Sequence, residues 1–194
     1  MKEKLNLRNA ILWTVALVAL ILFFASFGAT ASLKGTVDGT YLNLSCPNAI
    51  WGSKGIFGTA SGYPVGETLK KGVANVPGLI GAILLFLAAG GIVAVSFLIK
   101  DEKLAKILTF VCGGVILVSG ILFFFVAQTP WYVLQEWMKE EGMNVSVQAL
   151  KQEYAGAKAS SGFGIGGGIV AILLLAGGVI ASQLIPNKQF IKSK

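Results

Sequence analysis

The chain has 194 residues, of which 55% are hydrophobic and only 13% charged, with a formal net charge of +7. Soluble domains carry nearer a quarter charged residues, so a water-soluble fold would have no means of covering this surface, and the lipid bilayer is the natural solvent. There is no histidine and there are only two cysteines. These counts argue against general-base catalysis by imidazole, against zinc, copper and haem sites, and against a disulfide framework. No cofactor and no metal are expected, and the chain is not expected to be an enzyme. The basic residues flank apolar runs and form no basic domain, so a nucleic-acid partner is not expected either.

Four apolar runs organise the sequence: Ala10–Ala29, Pro77–Ile99, Ala105–Ala127 and Gly162–Ile185. Each has about 20 residues or more, enough to cross a hydrocarbon core of roughly 30 Å. The expected fold is therefore all-α: one membrane domain, an antiparallel bundle of four transmembrane helices. The first run is longer than the apolar region of a signal peptide, although Ala29-Thr30-Ala31 fits a cleavage pattern, so it reads as a retained helix. Pro77 suits the opening of the second helix, and Pro186 stops the fourth.

The flanks give an orientation. Lys2, Lys4 and Arg8 precede the first run, Lys100, Lys103 and Lys106 lie in the link between the second and third and at the very start of the third, and Lys188, Lys192 and Lys194 follow the fourth. All three short basic segments fall on one side of a four-span protein. The positive-inside rule then expects a cell-membrane protein with both termini cytoplasmic and with two outer loops, 30–76 and 128–161.

Both outer loops carry structural signals. In the first, Asp38-Gly39 between β-prone residues predicts a short hairpin, followed by an irregular stretch of Trp51, Ile56, Phe57 and Tyr63 among glycines. In the second, Thr129-Pro130 opens an amphipathic helix with Trp131, Leu134, Trp137 and Met138 on one face, which Gly142 ends. A second stripe is formed by Val147, Leu150 and Tyr154. Two short helices lying on the membrane surface or on the first loop fit this pattern, with Trp131 and Trp137 as interface anchors.

Few groups carry chemistry. Asn43-Leu44-Ser45 and Asn144-Val145-Ser146 are N-glycosylation sequons, one in each outer loop, usable in an archaeal or eukaryotic host. Glu136, Glu140 and Glu141 form an acidic cluster that reads as a solvated helix face rather than a cation site. Cys112 reads as a small packing residue; Cys46 is either a buried loop thiol or an intermolecular disulfide partner. The interiors of the spans contain no Asp, Glu, Lys or Arg, which disfavours a pump or ion-coupled carrier. Thr14, Ser26, Ser96, Thr109, Ser119 and Ser182 are the main polar groups there, and each can bond back to its own helix.

Three runs share a short pattern: Ala89-Gly90-Gly91-Ile92, Cys112-Gly113-Gly114-Val115 and Ala176-Gly177-Gly178-Val179. Counted from the inner ends, each pair falls at one depth, about 12–15 Å at 1.5 Å per residue. Ala16 and Ala19 of the first run reach a similar level. Gly90, Gly91, Gly113, Gly114, Gly177 and Gly178 are therefore expected to form a packing layer, either within the bundle or against a partner subunit, because glycine lets backbones approach closely.

The layout of short inner ends, a larger first outer loop, a tight inner turn and a smaller second outer loop resembles that of the claudin-like tetraspan proteins. The resemblance is one of topology. The family's first-loop signature, W-GLW with two cysteines, is not matched: Trp51 follows Cys46, and the loop has no second cysteine. The leading functional expectation is a non-catalytic structural or accessory subunit of a larger membrane assembly, with lipids and other membrane subunits, or further copies of itself, as partners. The alternatives are an adhesion or envelope protein whose outer loops self-associate, which the claudin-like layout would imply, and a small channel or carrier for an uncharged solute.

Overall fold

A computed structural model describes residues 7–37, 40–52, 54–55, 58–63, 65 and 72–185. The flanking Lys2, Lys4, Lys188, Lys192 and Lys194, the Asp38-Gly39 turn, Ile56, Phe57, Gly66 and the stop at Pro186 lie outside the described residues.

Helix α1, Leu7–Ala25, ends in a short 3-10 turn, Ser26–Gly28. The first loop then forms strands β1, Ala31–Val37, β2, Thr40–Cys46, β3, Lys54–Gly55, β4, Gly58–Thr59, and β5, Ser61–Tyr63. Helix α2, Val76–Leu98, and helix α3, Glu102–Phe123, are the second and third spans. Helix α4, Thr129–Glu140, and helix α5, Val147–Glu153, precede strand β6, Lys158–Ser160. The fourth span is helix α6, Gly162–Ile169, a π-helical segment, Val170–Ala176, and helix α7, Gly177–Leu184.

Among the described residues, four helices are long and apolar enough to cross a membrane, the architecture of a multi-pass membrane protein. Their burial pattern agrees with that solvent. Leu17, Phe24, Leu87, Ile107, Val111 and Leu173 are each half exposed or more, whereas Ala16, Ala19, Ala82, Ala88, Ala89 and Ala171 fill the interior. A soluble bundle would place large side chains inside and would not expose apolar belts of this extent. The spans form a ring: α1 packs on α2, α2 on α3, α3 on the fourth span, and the fourth span back on α1.

The fold is mostly helical, as the composition implies, but the cap is more than a short hairpin. Strands β5-β2-β1-β6 form a four-stranded antiparallel sheet, with β1 and β2 in register from Ala31↔Cys46 to Val37↔Thr40. Strand β6, from the second loop, pairs Ser32↔Ser160 and Lys34↔Lys158, so the two loops make one sheet. Alternation sorts the faces. Leu33, Leu42, Leu44 and Cys46 are buried, and α4 packs against β1 and β2 through an apolar face that buries Trp131, Val133, Leu134 and Met138. Gly62 has φ +115°, and a Cβ there would lie 1.9 Å from the Asn43 carbonyl oxygen, so β5 can approach β2 only as glycine.

The third span does not end where its apolar run ends. It tightens into a 3-10 turn, Phe124–Gln128, and continues as α4, a helical path of 39 residues from Glu102 to Glu140. Pro130 explains the break: its ring lacks an N–H and crowds the carbonyl of residue 126. The third span is thus mechanically continuous with the helix that supports the sheet.

Candidate functional site

The described residues offer two constructed surfaces, the interior of the bundle and the cap. Within the bundle, each glycine pair splits. A Cβ on Gly91 would lie 2.9 Å from Cys112 Sγ, one on Gly113 2.9 Å from Val179 Cγ1, and one on Gly178 2.8 Å from Val15 Cγ2. These contacts join α2 to α3, α3 to α7 and α7 to α1 at one level, with Ala16 and Ala19 buried beside them. Cys112 is thus a small side chain at the α2–α3 contact. A Cβ on Gly90, Gly114 or Gly177 would meet no other element within 4 Å among the described residues.

The closest backbone approaches lie nearer the cap. A Cβ on Gly120 would be 3.1 Å from the Gly168 carbonyl oxygen, and one on Gly168 2.9 Å from that of Gly120. Gly164 likewise lies against the carbonyl of Phe123, 2.9 Å from a built Cβ. Ser119, buried, donates across to the Gly81 carbonyl at 2.6 Å rather than back to its own helix. Thr14, Ser96, Thr109 and Ser182 do bond within their own helices. Sequence reasoning overlooked this second level because Gly81, Gly120, Gly164 and Gly168 share no repeated motif.

The cap is fastened to the spans by buried polar groups. Asn75, fully buried, accepts from Gly78 N at 2.8 Å and so caps α2, with Pro77 one residue inside the helix start. Its amide donates to the Phe125 carbonyl (2.8 Å) and to Thr129 Oγ1 (3.1 Å), and its backbone N–H to the Ile50 carbonyl (3.1 Å). Ser161 caps α6 by accepting from Gly164 N at 3.0 Å, and it donates to the Thr30 carbonyl at 2.7 Å. Trp51 donates to Ser26 Oγ (2.8 Å) and stacks on Phe27 with centroids 4.4 Å apart. Asn and Ser are favoured at helix N-caps, but hydropathy and spacing mark neither Asn75 nor Ser161, whose further partners lie on other elements.

Of the remaining singled-out residues, Asn43 and Asn144 are both exposed. Asn43 sits mid-strand in β2, opposite Lys34 and Tyr63, while Asn144 lies between α4 and α5. Trp131 is 4% exposed and belongs to the core under the sheet, and Trp137 is half-buried against it. Cys46 is fully buried at the end of β2, and burial pushes its thiol up to about 12. Of the two sequence readings, the buried thiol is therefore the one the fold matches. The Tyr154 phenol is raised by burial and then by the neighbouring Glu153 carboxylate. In the acidic cluster, Glu136 pairs with Lys139 at 3.4 Å; among the described residues no group of three or more His, Cys, Asp or Glu could hold a metal.

At the basal end, opposite the cap, Arg8 is 8% exposed and donates to Gln183 Oε1 at 2.9 Å, which ties α1 to α7. A cavity of about 160 Å³ opens beside it between α1, α2 and α3. In the sequence Arg8 flanks the first run as a topology charge; the structure makes it part of the bundle's end.

No protein-family model, no curated protein and no solved structure matches this chain.

Proposed function

We propose that the chain is a non-catalytic structural subunit of a larger membrane assembly, with both termini cytoplasmic and the sheet-bearing cap outside. The reading is supported chiefly by the division of each glycine pair. Gly91, Gly113 and Gly178 serve packing within the bundle, whereas a Cβ on Gly90, Gly114 or Gly177 would meet no other element within 4 Å among the described residues. Ala94 and Ala181, four residues after the exposed Gly90 and the half-buried Gly177, are exposed, which gives two small-xxx-small faces on the outside of the bundle. Such faces let a second helix approach closely and gain dispersion contacts that lipid does not improve upon.

The test is to replace Gly90 and Gly177 with leucine and purify the protein from its own source in mild detergent. The expected result is loss of co-purifying membrane subunits with no loss of the chain's own thermal stability. Retention of the same complex by both variants refutes the assignment of those faces. Orientation is tested by single cysteines at Lys103 and Lys158 on a Cys46→Ala, Cys112→Ala background. An impermeant reagent should label position 158 and not position 103 in intact cells, and the reverse pattern overturns the topology.

The outer face of the sheet favours a second reading, adhesion through the cap. Ser61, Ser45, Ser32 and Ser160 line up across all four strands, and Tyr41 and Tyr63, each 59% exposed, stand on the same face. Homo-oligomers that dissociate on Tyr41→Ser and Tyr63→Ser substitution would favour this reading over the first.

A further inference from the structure

The outer face of the four-stranded sheet carries two charges that its own strands do not balance. Beside the serine row a second row crosses the sheet, with Tyr63 of β5 opposite Asn43 of β2, Asn43 opposite Lys34 of β1, and Lys34 opposite Lys158 of β6. All four residues are exposed. Direct cross-strand partners have Cβ atoms about 4.5–5.5 Å apart, and like charges placed so destabilise a sheet. Lys34 and Lys158 are the only charged residues of these four strands. The nearest acids in the sequence, Asp38 and Glu153, lie off the strands. Among the described residues Lys139 is ion-paired with Glu136, and neither Lys34 nor Lys158 has such a partner. An edge lysine blunts a sheet against further strands, which accounts for Lys158. It does not account for Lys34, because β1 is paired on both sides.

The rest of the face suits a sugar chain. Each hydroxyl of the serine row can donate and accept, and the Asn43 amide does both. Ser32 and Ser160, whose hydroxyl oxygens lie 3.1 Å apart, satisfy each other only in part. Tyr41 and Tyr63 offer flat apolar rings with a polar tip, the surface on which the C–H face of a pyranose packs. A protein partner needs an apolar centre with anchoring side chains. The outward positions of these strands hold no Val, Ile, Leu, Met or Phe, since the aliphatic residues face α4. A second copy brings two further lysines and no acid from the same strands, so it does not answer the charge.

We propose that this face binds an acidic polysaccharide, with Lys34 and Lys158 on its carboxylates and Tyr63 and the serine row on its rings and hydroxyls. The inference rests on the adhesion reading and on the outward placement of the cap, and it makes the adhesive partner a glycan rather than a second copy. It also requires the Asn43 sequon to be vacant, because a glycan there would stand in the middle of the row.

The full-length protein in mild detergent is titrated with oligogalacturonate, an unbranched chain of uronic acids, and with neutral dextran and polyglutamate for comparison. Oligogalacturonate is expected to bind, more weakly as salt screens the lysines. Lys34→Gln and Lys158→Gln together should weaken binding about tenfold, the factor that two exposed ion pairs supply. Tyr63→Ser should weaken it at high salt as well as low, because ring packing is not screened. Lys103→Gln and Lys106→Gln together remove the same charge at the basal end and should leave binding unchanged. The proposal is overturned if oligogalacturonate does not bind, or if dextran or polyglutamate binds as tightly. It is overturned equally if the Lys103 and Lys106 pair matters as much as the Lys34 and Lys158 pair, or if the mass of the native protein shows a glycan on Asn43. Homo-oligomers that dissociate on Tyr41→Ser and Tyr63→Ser substitution, with no binding of oligogalacturonate, would overturn this inference and leave adhesion through the cap standing. Labelling of position 103 and not 158 in intact cells would overturn the outward placement, and the inference with it.

Discussion

The adjacent pair Gly113 and Gly114 gives the sharpest test of the packing argument, because two identical residues one position apart face opposite environments. A Cβ at position 113 would lie 2.9 Å from Val179 Cγ1 and 3.3 Å from Val179 Cβ, whereas one at 114 would meet no other element within 4 Å among the described residues. Val179 is fully buried and β-branched, so its rotamer in a helix is nearly fixed and it cannot turn aside. Alanine at 114 therefore gains only the helix preference over glycine, about 1 kcal/mol. Alanine at 113 gains the same preference but incurs an overpacking cost of about 1–3 kcal/mol. The two alanine variants should differ by about 1–3 kcal/mol, with Gly113→Ala the less stable. For a chain of this size each kilocalorie moves the midpoint by about 2–4 °C. Leucine widens the gap, since the atoms beyond Cβ enter the same contact. The assay is thermal unfolding in mild detergent, followed by tryptophan emission. At the α2–α3 contact the opposing atom is Cys112 Sγ, the far end of a small side chain, so Gly91→Ala should cost less than Gly113→Ala. If the variants at 113 and 114 unfold together, the helices do not meet at Gly113 and the inner packing level is wrong.

Other outcomes follow from the same structure. Ser119→Ala removes the bond to the Gly81 carbonyl and should destabilise by about 0.5–1.5 kcal/mol in the same assay, whereas Ser96→Ala, which loses only a bond within its own helix, should fall near zero. Asn75→Ala strips the cap of α2 and leaves the Phe125 carbonyl without its side-chain donor, and should cost about 2–4 kcal/mol, read as unfolding together with faster proteolysis within 30–76. Cys46 should resist alkylation in the folded protein at pH 8 and react fully after denaturation. The thiol rises from 9.0 to about 12 on folding, so the unfolded chain loses that proton first. Stability should therefore be unaffected by this group below pH 9 and fall as pH climbs from 9 towards 12, and Cys46→Ala should flatten that part of the pH profile.

Much of this architecture was legible in the sequence because it depends on local pattern. The four spans follow from runs of about 20 apolar residues, which have no other stable environment. The hairpin follows from alternation about Asp38-Gly39, and the two short helices of the second loop from Thr129-Pro130, Gly142 and the spacing of Trp131, Leu134 and Met138. The glycine pairs were visible as a repeated motif, but which member of each faces inward was not. That choice depends on helix rotation, which the neighbouring spans set. What only the tertiary structure decided involves residues far apart in the chain. Strand β6 has three residues and no hydropathy signature, and it is a strand because β1 supplies its hydrogen bonds. The π-helical segment Val170–Ala176 lies between glycine clusters, and no periodicity marks it beforehand. Ser119 looked like a self-bonded hydroxyl, and nothing in the pattern marked Asn75 or Ser161, yet each satisfies a carbonyl on another element. Arg8 looked like a charge beside a membrane and became a buried link to Gln183. Hydropathy fixes which segments leave water, since transfer into lipid is a property of each segment alone. Side-chain partners depend on how those segments are rotated against one another, and that is settled only when all four pack together.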